Sequence, residues 1–348
     1  MIPCYKLEKY FEECMESIYS QDIPESACEV ICINDCSPDN TRDIIIEYQK
    51  RHQNLVLIDH PENKGQNGGR NTGIEAAHGK YLWFIDQDDY IEKNCLKKLL
   101  NILNDNQLDI LNFNVLSYNI WKEPKVSPVY DIPNNTEKVI SGIDWLKTLK
   151  NCNTNSGLWR KIFRREYLIE NQFSLPARRL YEDEMFSLAV VAKAKRFIHL
   201  NNSFYYYRAN PNSILNQAFT VVNHLSLIEV AADCFEFYLK AINEDKVFAE
   251  KVKADIALEH LDFTFQEIPY LNFSHRKYVM KILNPHLPII QKSSYFKGIK
   301  KFYFDNFRFS NALFFIVSPV FRQTRRLKSN INKMYKQIKR KIKKIVTQ

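Results

Sequence analysis

Five apolar residues, Tyr81-Leu82-Trp83-Phe84-Ile85, run straight into Asp86-Gln87-Asp88-Asp89, and this junction constrains the fold more than any other feature of the chain. A strand with no polar alternation is buried on both faces, the condition of strands inside a parallel sheet flanked by helices. Ligands of such sheets bind beyond the carboxyl ends of the strands. Two carboxylates about 5 Å apart repel by about 3 kcal/mol at an effective dielectric of about 20, so three acids in four residues favour a cation between them. Oxygen ligands with no His or Cys beside them suit Mg2+ or Mn2+, which complete their shells with substrate phosphates. A solvated turn after a strand is the plainer alternative, and these four residues alone do not separate the two.

The rest of the first half repeats one pattern. Tyr5 to Ser20 carries apolar residues at helical spacing (Leu7, Tyr10, Phe11, Cys14, Met15, Ile18). Cys28 to Ile33 reads as a strand, Asn34 to Asp39 as a turn with capping residues, and a helix follows through Tyr48. Leu55 to Ile58 is a predicted strand, Asn67 to Ala77 a helix, and Tyr81 to Ile85 the central strand. Alternation at this pitch indicates βαβ units and an α/β fold with a mainly parallel sheet. With the first helix starting near Tyr5, almost nothing remains for a strand before it, so the expectation is that the first strand is missing. Leu108 to Leu116 is strand-like, Trp121 to Asn135 is rich in Pro and polar residues, and Gly142 to Arg208 mixes both kinds of element. Residues 216–305 look mainly helical, an expected accessory region between a domain over 1–215 and a tail over 306–348.

At 348 residues and 45% hydrophobic content the chain has the composition of a globular protein. Its longest apolar run near the end, Ala312 to Val317, falls far short of the roughly 17 residues a spanning helix needs. Met1-Ile2-Pro3-Cys4-Tyr5 leads into a charged segment without a signal-peptide pattern, so a cytosolic location is expected. The eight cysteines include no pair of CxxC motifs, and Cys28, Cys32 and Cys36 run through a strand and turn, so buried reduced thiols are expected.

Four segments carry a resemblance. Pro3-Cys4-Tyr5, Ile33-Asn34-Asp35-Cys36-Ser37-Pro38-Asp39, Asn63-Lys64-Gly65 continuing to Gly69-Arg70-Asn71-Thr72-Gly73, and Phe84 to Asp89 resemble, in this order, the signature of glycosyltransferase family 2. The resemblance covers residues 1 to 215 and implies a GT-A fold, which joins a nucleotide-binding half to an acceptor half. It implies inverting transfer of a sugar from a nucleotide donor, UDP foremost, to a saccharide or lipid-linked acceptor, as in bacterial surface polysaccharide assembly.

Each motif also has a physical reading. Asp35 follows a strand, where a carboxylate can accept hydrogen bonds from a base or ribose, and the resemblance implies uracil; capping the next helix is the alternative. Tyr5 and Glu8 share a predicted helix face at i, i+3. By similarity Pro3 and Tyr5 line the base, with Glu8 a further candidate. The glycine-rich stretch Gly65 to Gly73 lets backbone approach a ligand closely, and Arg70 offers a bidentate fork for phosphate, or else is a surface arginine on a plain turn. No GxGxxG or Walker pattern is present. Glu182-Asp183-Glu184 opens a predicted helix, where acids ordinarily complement the dipole. There the resemblance implies a catalytic base at Asp183, with Glu182 its competitor. Asp88 is the implied metal ligand, for Mn2+ or Mg2+. Asp86 contacts the ribose or supports the metal through water, and Asp89 fixes the turn. Arg208, at the end of Tyr205-Tyr206-Tyr207-Arg208, and Ser213 match a segment that closes over the diphosphate in the family, a structural role for Arg208 being the alternative. Two positions depart from the pattern: Lys6 stands where Asn is common, and Gly69 where Ala is usual.

Among the implied alternatives are a nucleotidyltransferase, which shares such a sheet and acidic site, and a truncated relative that binds nucleotide or membrane without turnover. The tail stands apart. The net charge of +9 is uneven, since residues 306–348 hold 12 Lys or Arg and no Asp or Glu. Leu327, Ile331, Met334, Ile338, Ile342 and Ile345 recur at steps of three and four, which describes a basic amphipathic helix suited to an anionic membrane surface. A cytosolic protein peripheral to the inner membrane face is the expectation. No base-reading pattern of aromatic or Arg/Asn residues accompanies the charge, so nucleic acid is not the expected partner.

Overall fold

The computed structural model describes residues 1–6, 10–118, 127–128, 138–148, 157–176 and 182–208, with positions 226, 229, 230, 233 and 281. Apart from those last positions, the accessory region over 216–305 and the tail over 306–348 lie outside the described residues, as do Glu8 and Ser213.

Three parallel strands, β1 (Ile2–Cys4), β2 (Val30–Asn34) and β3 (Leu55–Asp59), stand side by side in that order. Helices α1 (Phe11–Tyr19) and α2 (Thr41–Arg51) connect them, and α3 (Gly65–Ala76) follows β3. Every residue of β2 is buried, as a strand covered on both faces must be. Helix α1 buries Phe11, Cys14, Met15 and Ile18, the apolar stripe that its spacing predicts.

The expectation of a missing first strand is corrected here. Ile2–Cys4 forms it, all three residues buried, in parallel register with Cys32 to Asn34. The physical reason is the helix start: α1 begins at Phe11 rather than near Tyr5, which leaves Ile2 to Cys4 free to form a strand. Tyr5 therefore lies outside any helix, and the helix face proposed for Tyr5 and Glu8 is withdrawn with it.

The second half of the sheet is mixed. It comprises β4 (Tyr81–Trp83), β5 (Tyr90–Ile91), β6 (Ile110–Tyr118), β7 (Ser127–Pro128), β8 (Lys161–Arg164) and β9 (Phe197–Arg208). Its order is β4-β8-β6-β9-β5, with β7 on β6, and its helices are α4 (Leu96–Asp105), α5 (Gly142–Thr148), α6 (Arg165–Glu170) and α7 (Glu182–Lys193). Strand β4 runs antiparallel to β8, which corrects the all-parallel surroundings expected for the Tyr81 run. Leu82, Trp83, Phe84 and Ile85 are all buried. An unbroken apolar run reports two covered faces and carries no information about the direction of its neighbour.

Met1 joins the two halves, its ammonium donating to the Trp83 carbonyl at 2.9 Å and its carbonyl accepting the Ile85 N–H at 3.0 Å. Pro3, two residues on, has no N–H with which to extend such pairing. The chain after Ile85 is thereby released from the sheet and enters the acid turn. Among the described residues no helix is long and apolar enough to cross a membrane. Cys4, Cys14, Cys28, Cys32, Cys36 and Cys95 are all free thiols. Cys28 is only half-buried and Cys36 is exposed, so the expectation of buried thiols holds for Cys32 and fails for Cys36.

Candidate active site

The acid turn sits where the first half of the sheet meets the second, and its three aspartates have three different environments. Asp89 is buried, accepting the Tyr205 hydroxyl proton at 2.7 Å on Oδ2 and the Arg208 N–H at 2.7 Å on Oδ1. Burial, then the charges of Asp88 and Asp86, push its carboxyl well above the usual carboxylate range, while the Arg208 amide and Tyr205 hydroxyl pull the other way. Tyr205 also accepts the Asp86 N–H at 3.0 Å, so one buried hydroxyl ties both ends of the turn to β9. Asp89 thus fixes the turn, as expected.

Asp86 is held from α3. Gln66 Nε2 and an Arg70 terminal nitrogen both donate to its Oδ1 at 2.9 Å, two residues one helical turn apart on the same face. Its Oδ2 has no hydrogen bond among the described residues. Asp88 is partly exposed. Gln87, between them, pairs its side-chain amide with both backbone groups of Tyr5, accepting the N–H at 2.7 Å and donating to the carbonyl at 2.8 Å. This clamp takes over where Pro3 cannot pair, and it fastens the end of β1 to the acid turn.

The glycine-rich stretch differs from the expected ligand cradle. It is helical from Gly65 onward, and a Cβ added at Gly69 would stand 3.2 Å from the Pro3 Cβ. What approaches the helix backbone there is β1. Arg70 is 3% exposed within α3, with its guanidinium paired to Asp86, an acid of the turn.

Asp35 is 3% exposed. Its Oδ1 accepts the Lys64 N–H at 2.8 Å and lies 2.7 Å from His60 Nδ1, and its Oδ2 accepts the Gly65 N–H at 2.8 Å. The far nitrogen of His60 meets the Thr72 hydroxyl at 2.9 Å, which closes a buried chain from β2 to α3. The carboxylate therefore caps a helix, as the alternative reading had it, though that helix is α3 rather than the next one in sequence.

Arg208 is buried beneath the turn, with its Nε on the Asp88 carbonyl at 2.9 Å, an ion pair to Glu13 and its guanidinium 4.7 Å from the Tyr10 ring. This is the structural alternative for Arg208. Asp183 stands half-buried at the second residue of α7, and Glu182 opens that helix, as the sequence predicts. Asp86, Asp88, Arg70, Arg208, Pro3 and Tyr5 are brought together; Asp35 adjoins them through α3, and Asp183 belongs to the second half. Gln66 and Gln87 carry no role in the sequence reading, and Tyr205 enters it only as part of the segment ending at Arg208. The only signal for Gln87 was its place inside the acid run.

Among the described residues no cluster of three or more His, Cys, Asp or Glu side chains could hold a metal alone. The oxygens at hand, the Asp88 carboxylate and Asp86 Oδ2, fit a Mg2+ or Mn2+ bound by one or two carboxylates with phosphate completing its shell.

The family model described as Glycosyl transferase family 2 matches residues 1–166. The chain is 31% identical over 218 residues to the uncharacterized glycosyltransferase EpsJ of Bacillus subtilis, an overlap of 62% of this chain and 61% of that one. It is 30% identical over 273 residues to the poly(ribitol-phosphate) beta-glucosyltransferase of Bacillus spizizenii, covering 76% of this chain and 40% of the relative. The chain thus spans 61% and 40% of the length of these two relatives. Among solved structures, Staphylococcus aureus TarS 1-349 in complex with UDP-GlcNAc matches with a TM-score of 0.55 at 22% identity, covering 83% of this chain and 85% of that one. That likeness concerns the fold, which is of the GT-A type.

Proposed function

We propose that this chain, whose residues 1–166 match the model described as Glycosyl transferase family 2, is a member of that family and moves a sugar from a UDP-linked donor to a saccharide or lipid-linked acceptor in cell-surface polysaccharide synthesis. The observation that carries this reading is the sorting of the turn. Asp89 is spent on β9 and one oxygen of Asp86 on α3, while Asp88 stays partly exposed and the other Asp86 oxygen carries no bond among the described residues. The relatives support the reading, since TarS was solved with UDP-GlcNAc and the Bacillus spizizenii protein is a glucosyltransferase of poly(ribitol-phosphate).

In this proposal Asp88 and Asp86 would hold a divalent cation beside the donor diphosphate. Such an ion supplies Lewis-acid stabilisation of the charge that develops on the departing phosphate oxygen. Pro3 and Tyr5 border the base, with Gln87 holding Tyr5 in place. Asp35 contributes by fixing the start of α3. Asp183 accepts the proton of the acceptor hydroxyl as that oxygen bonds to the anomeric carbon, whose bond to the phosphate oxygen breaks. Nucleoside diphosphate leaves, and the single displacement inverts the anomeric carbon. Glu182 is the competing base, and Arg208 supports the turn from below.

Calorimetry with UDP in Mn2+, followed by product analysis with UDP-GlcNAc and UDP-glucose, tests the reading. Metal-dependent UDP binding and release of UDP support it. Release of pyrophosphate from a nucleoside triphosphate would indicate a nucleotidyltransferase, and UDP binding without turnover of any donor a non-catalytic relative. For residues 306–348 we propose attachment to an anionic membrane surface, which would hold the enzyme at the cytosolic face. Flotation of the full chain with anionic vesicles and its loss when the tail lysines are replaced by Gln support this; equal recovery with neutral vesicles contradicts it.

A further inference from the structure

Helix α3 touches two regions with two adjacent rows of side chains. Residues four apart on a helix share a face, and successive residues are turned by about 100°. Gln66 and Arg70 form one such pair, and both bind Asp86 Oδ1. Asn67 and Asn71 form the neighbouring pair, and both reach residues more than a hundred positions away in sequence. Asn71 accepts the Leu175 N–H at 2.8 Å and donates to the Leu175 carbonyl at 2.8 Å, while Asn67 donates to the Pro176 carbonyl at 2.7 Å. Asn71 thus treats Leu175 as a neighbouring strand would, satisfying both backbone groups of a residue that is 2% exposed.

The first residue of α7 comes six positions after Pro176 in sequence, residues 177–181 between them lying outside the described residues. The rest of α7, from Phe186 onward, has contacts of its own. Tyr167 of α6 donates to the Val190 carbonyl, and Gly142 lies so close to the Val191 carbonyl that an added Cβ would stand 1.7 Å from it. Phe173 packs edge-on against Phe186 with centroids 6.1 Å apart. Among the described residues the asparagine clamp ties α3 to Leu175 and Pro176, which precede α7 and its Asp183 in the chain.

We infer that Asn67 and Asn71 are positioning residues that set the first turn of α7, and with it Asp183, relative to the Asp86 that the same helix holds through Gln66 and Arg70. This deepens the proposed function and rests on Asp183 being its base. One rigid helix then references both the acid that supports the donor and the acid that serves the acceptor. Misplacement of reacting groups by about 1 Å can cost on the order of a hundredfold in rate, so a clamp remote from the chemistry can govern it.

The test uses the full chain with Asn67→Ala, Asn71→Ala, Asn71→Asp and, as reference, Asp183→Asn. The measurements are UDP affinity in Mn2+ by calorimetry, UDP release from UDP-GlcNAc and UDP-glucose, and backbone hydrogen exchange at Leu175 and residues 182–185. For Asn71→Ala the expected result is a fall in UDP release on the order of ten- to a hundredfold. UDP affinity stays within about twofold, because no bond to Asp86 is lost, and exchange quickens at Leu175 and the first turn of α7. Asn71→Asp keeps an acceptor for the Leu175 N–H and recovers part of the rate; it also carries the test should Asn71→Ala fail to fold. A merely structural role would lower melting temperature while leaving the ratio of turnover to UDP affinity in place, and that result overturns the inference. So does unchanged exchange at residues 182–185. If Asp183→Asn releases UDP as fast as the unaltered chain, the reading of the base fails and the inference with it. If Asp183→Asn is slow while Asn71→Ala keeps full rate, the inference alone fails.

Discussion

Asp35 and Asp88 follow strands of two different sheets, and both were expected to touch a nucleotide sugar, yet their surroundings are opposite. Asp35 is buried and meets three partners, His60 just after β3 and Lys64 and Gly65 at the start of α3, whereas Asp88 is partly exposed on its turn. The lesson is that carboxylates at strand ends are sorted by how many donors the fold itself supplies. One with a full complement organises the backbone, and one that stays partly exposed can be reached by a ligand. Glu29 offers a surface copy of the first kind, since it accepts the His78 and Gly79 N–H groups much as Asp35 accepts those of Lys64 and Gly65.

The largest effect belongs to the buried member of the comparison. Asp35→Ala strands two backbone N–H groups and His60 without their acceptor, and a loss of about 3–5 kcal/mol in urea unfolding is expected. A loss below about 1 kcal/mol would mean that Asp35 is not structural and would return it to the nucleotide. Next in size is Asp88→Ala, for which metal-dependent UDP affinity falls on the order of a hundredfold while the stability change stays well below that of Asp35→Ala. Equal damage to stability in the two variants would erase the contrast between the two carboxylates.

A smaller effect tests the turn that aims Asp35. Cys36, its exposed neighbour, has φ +55°, a left-handed conformation that costs a residue with a Cβ about 1–2 kcal/mol. Glycine adopts it freely but loses more chain entropy on folding, so Cys36→Gly is expected to stabilise by about 1 kcal/mol in the same unfolding experiment. A destabilised Cys36→Gly would show that the thiol makes a contact of its own.

The smallest effect is a pH dependence. Burial pushes the Glu29 carboxyl up, but the His78 and Gly79 N–H groups outweigh it and hold it below its ordinary value of 4.5. A depressed folded-state value means that the unfolded chain binds the proton more readily. Its stabilisation is then present above about pH 4.5 and lost as pH falls through the folded value. Glu29→Gln should flatten that part of the acid limb of a stability profile; an unchanged limb would show that the two N–H bonds contribute nothing.

The sequence made some of this legible and hid the rest for identifiable reasons. The βαβ order of β2, α2, β3 and α3 follows from local spacing and turn residues, and the acid turn is visible because its residues are contiguous. The direction of β4's partner is invisible locally, because β8 arrives some eighty positions later and burial has no sense of direction. Strand β1 escaped notice because its three residues fall below any periodicity. The clamps from Gln87 to Tyr5 and from Asn71 to Leu175 join positions far apart in the chain, and an amide side chain gives no local sign of which backbone it will pair with. The structural bonds of Asp35 were hidden because a buried acceptor and a binding acceptor have the same sequence signature, a carboxylate after a strand.

The most direct measurement is a crystal structure of the chain soaked with UDP and Mn2+. The account predicts a cation bound by the Asp88 carboxylate and Asp86 Oδ2 with the diphosphate completing its shell, while Asp35 keeps its bonds to Lys64, Gly65 and His60. A diphosphate bound elsewhere, or a cation held without Asp88, would contradict it.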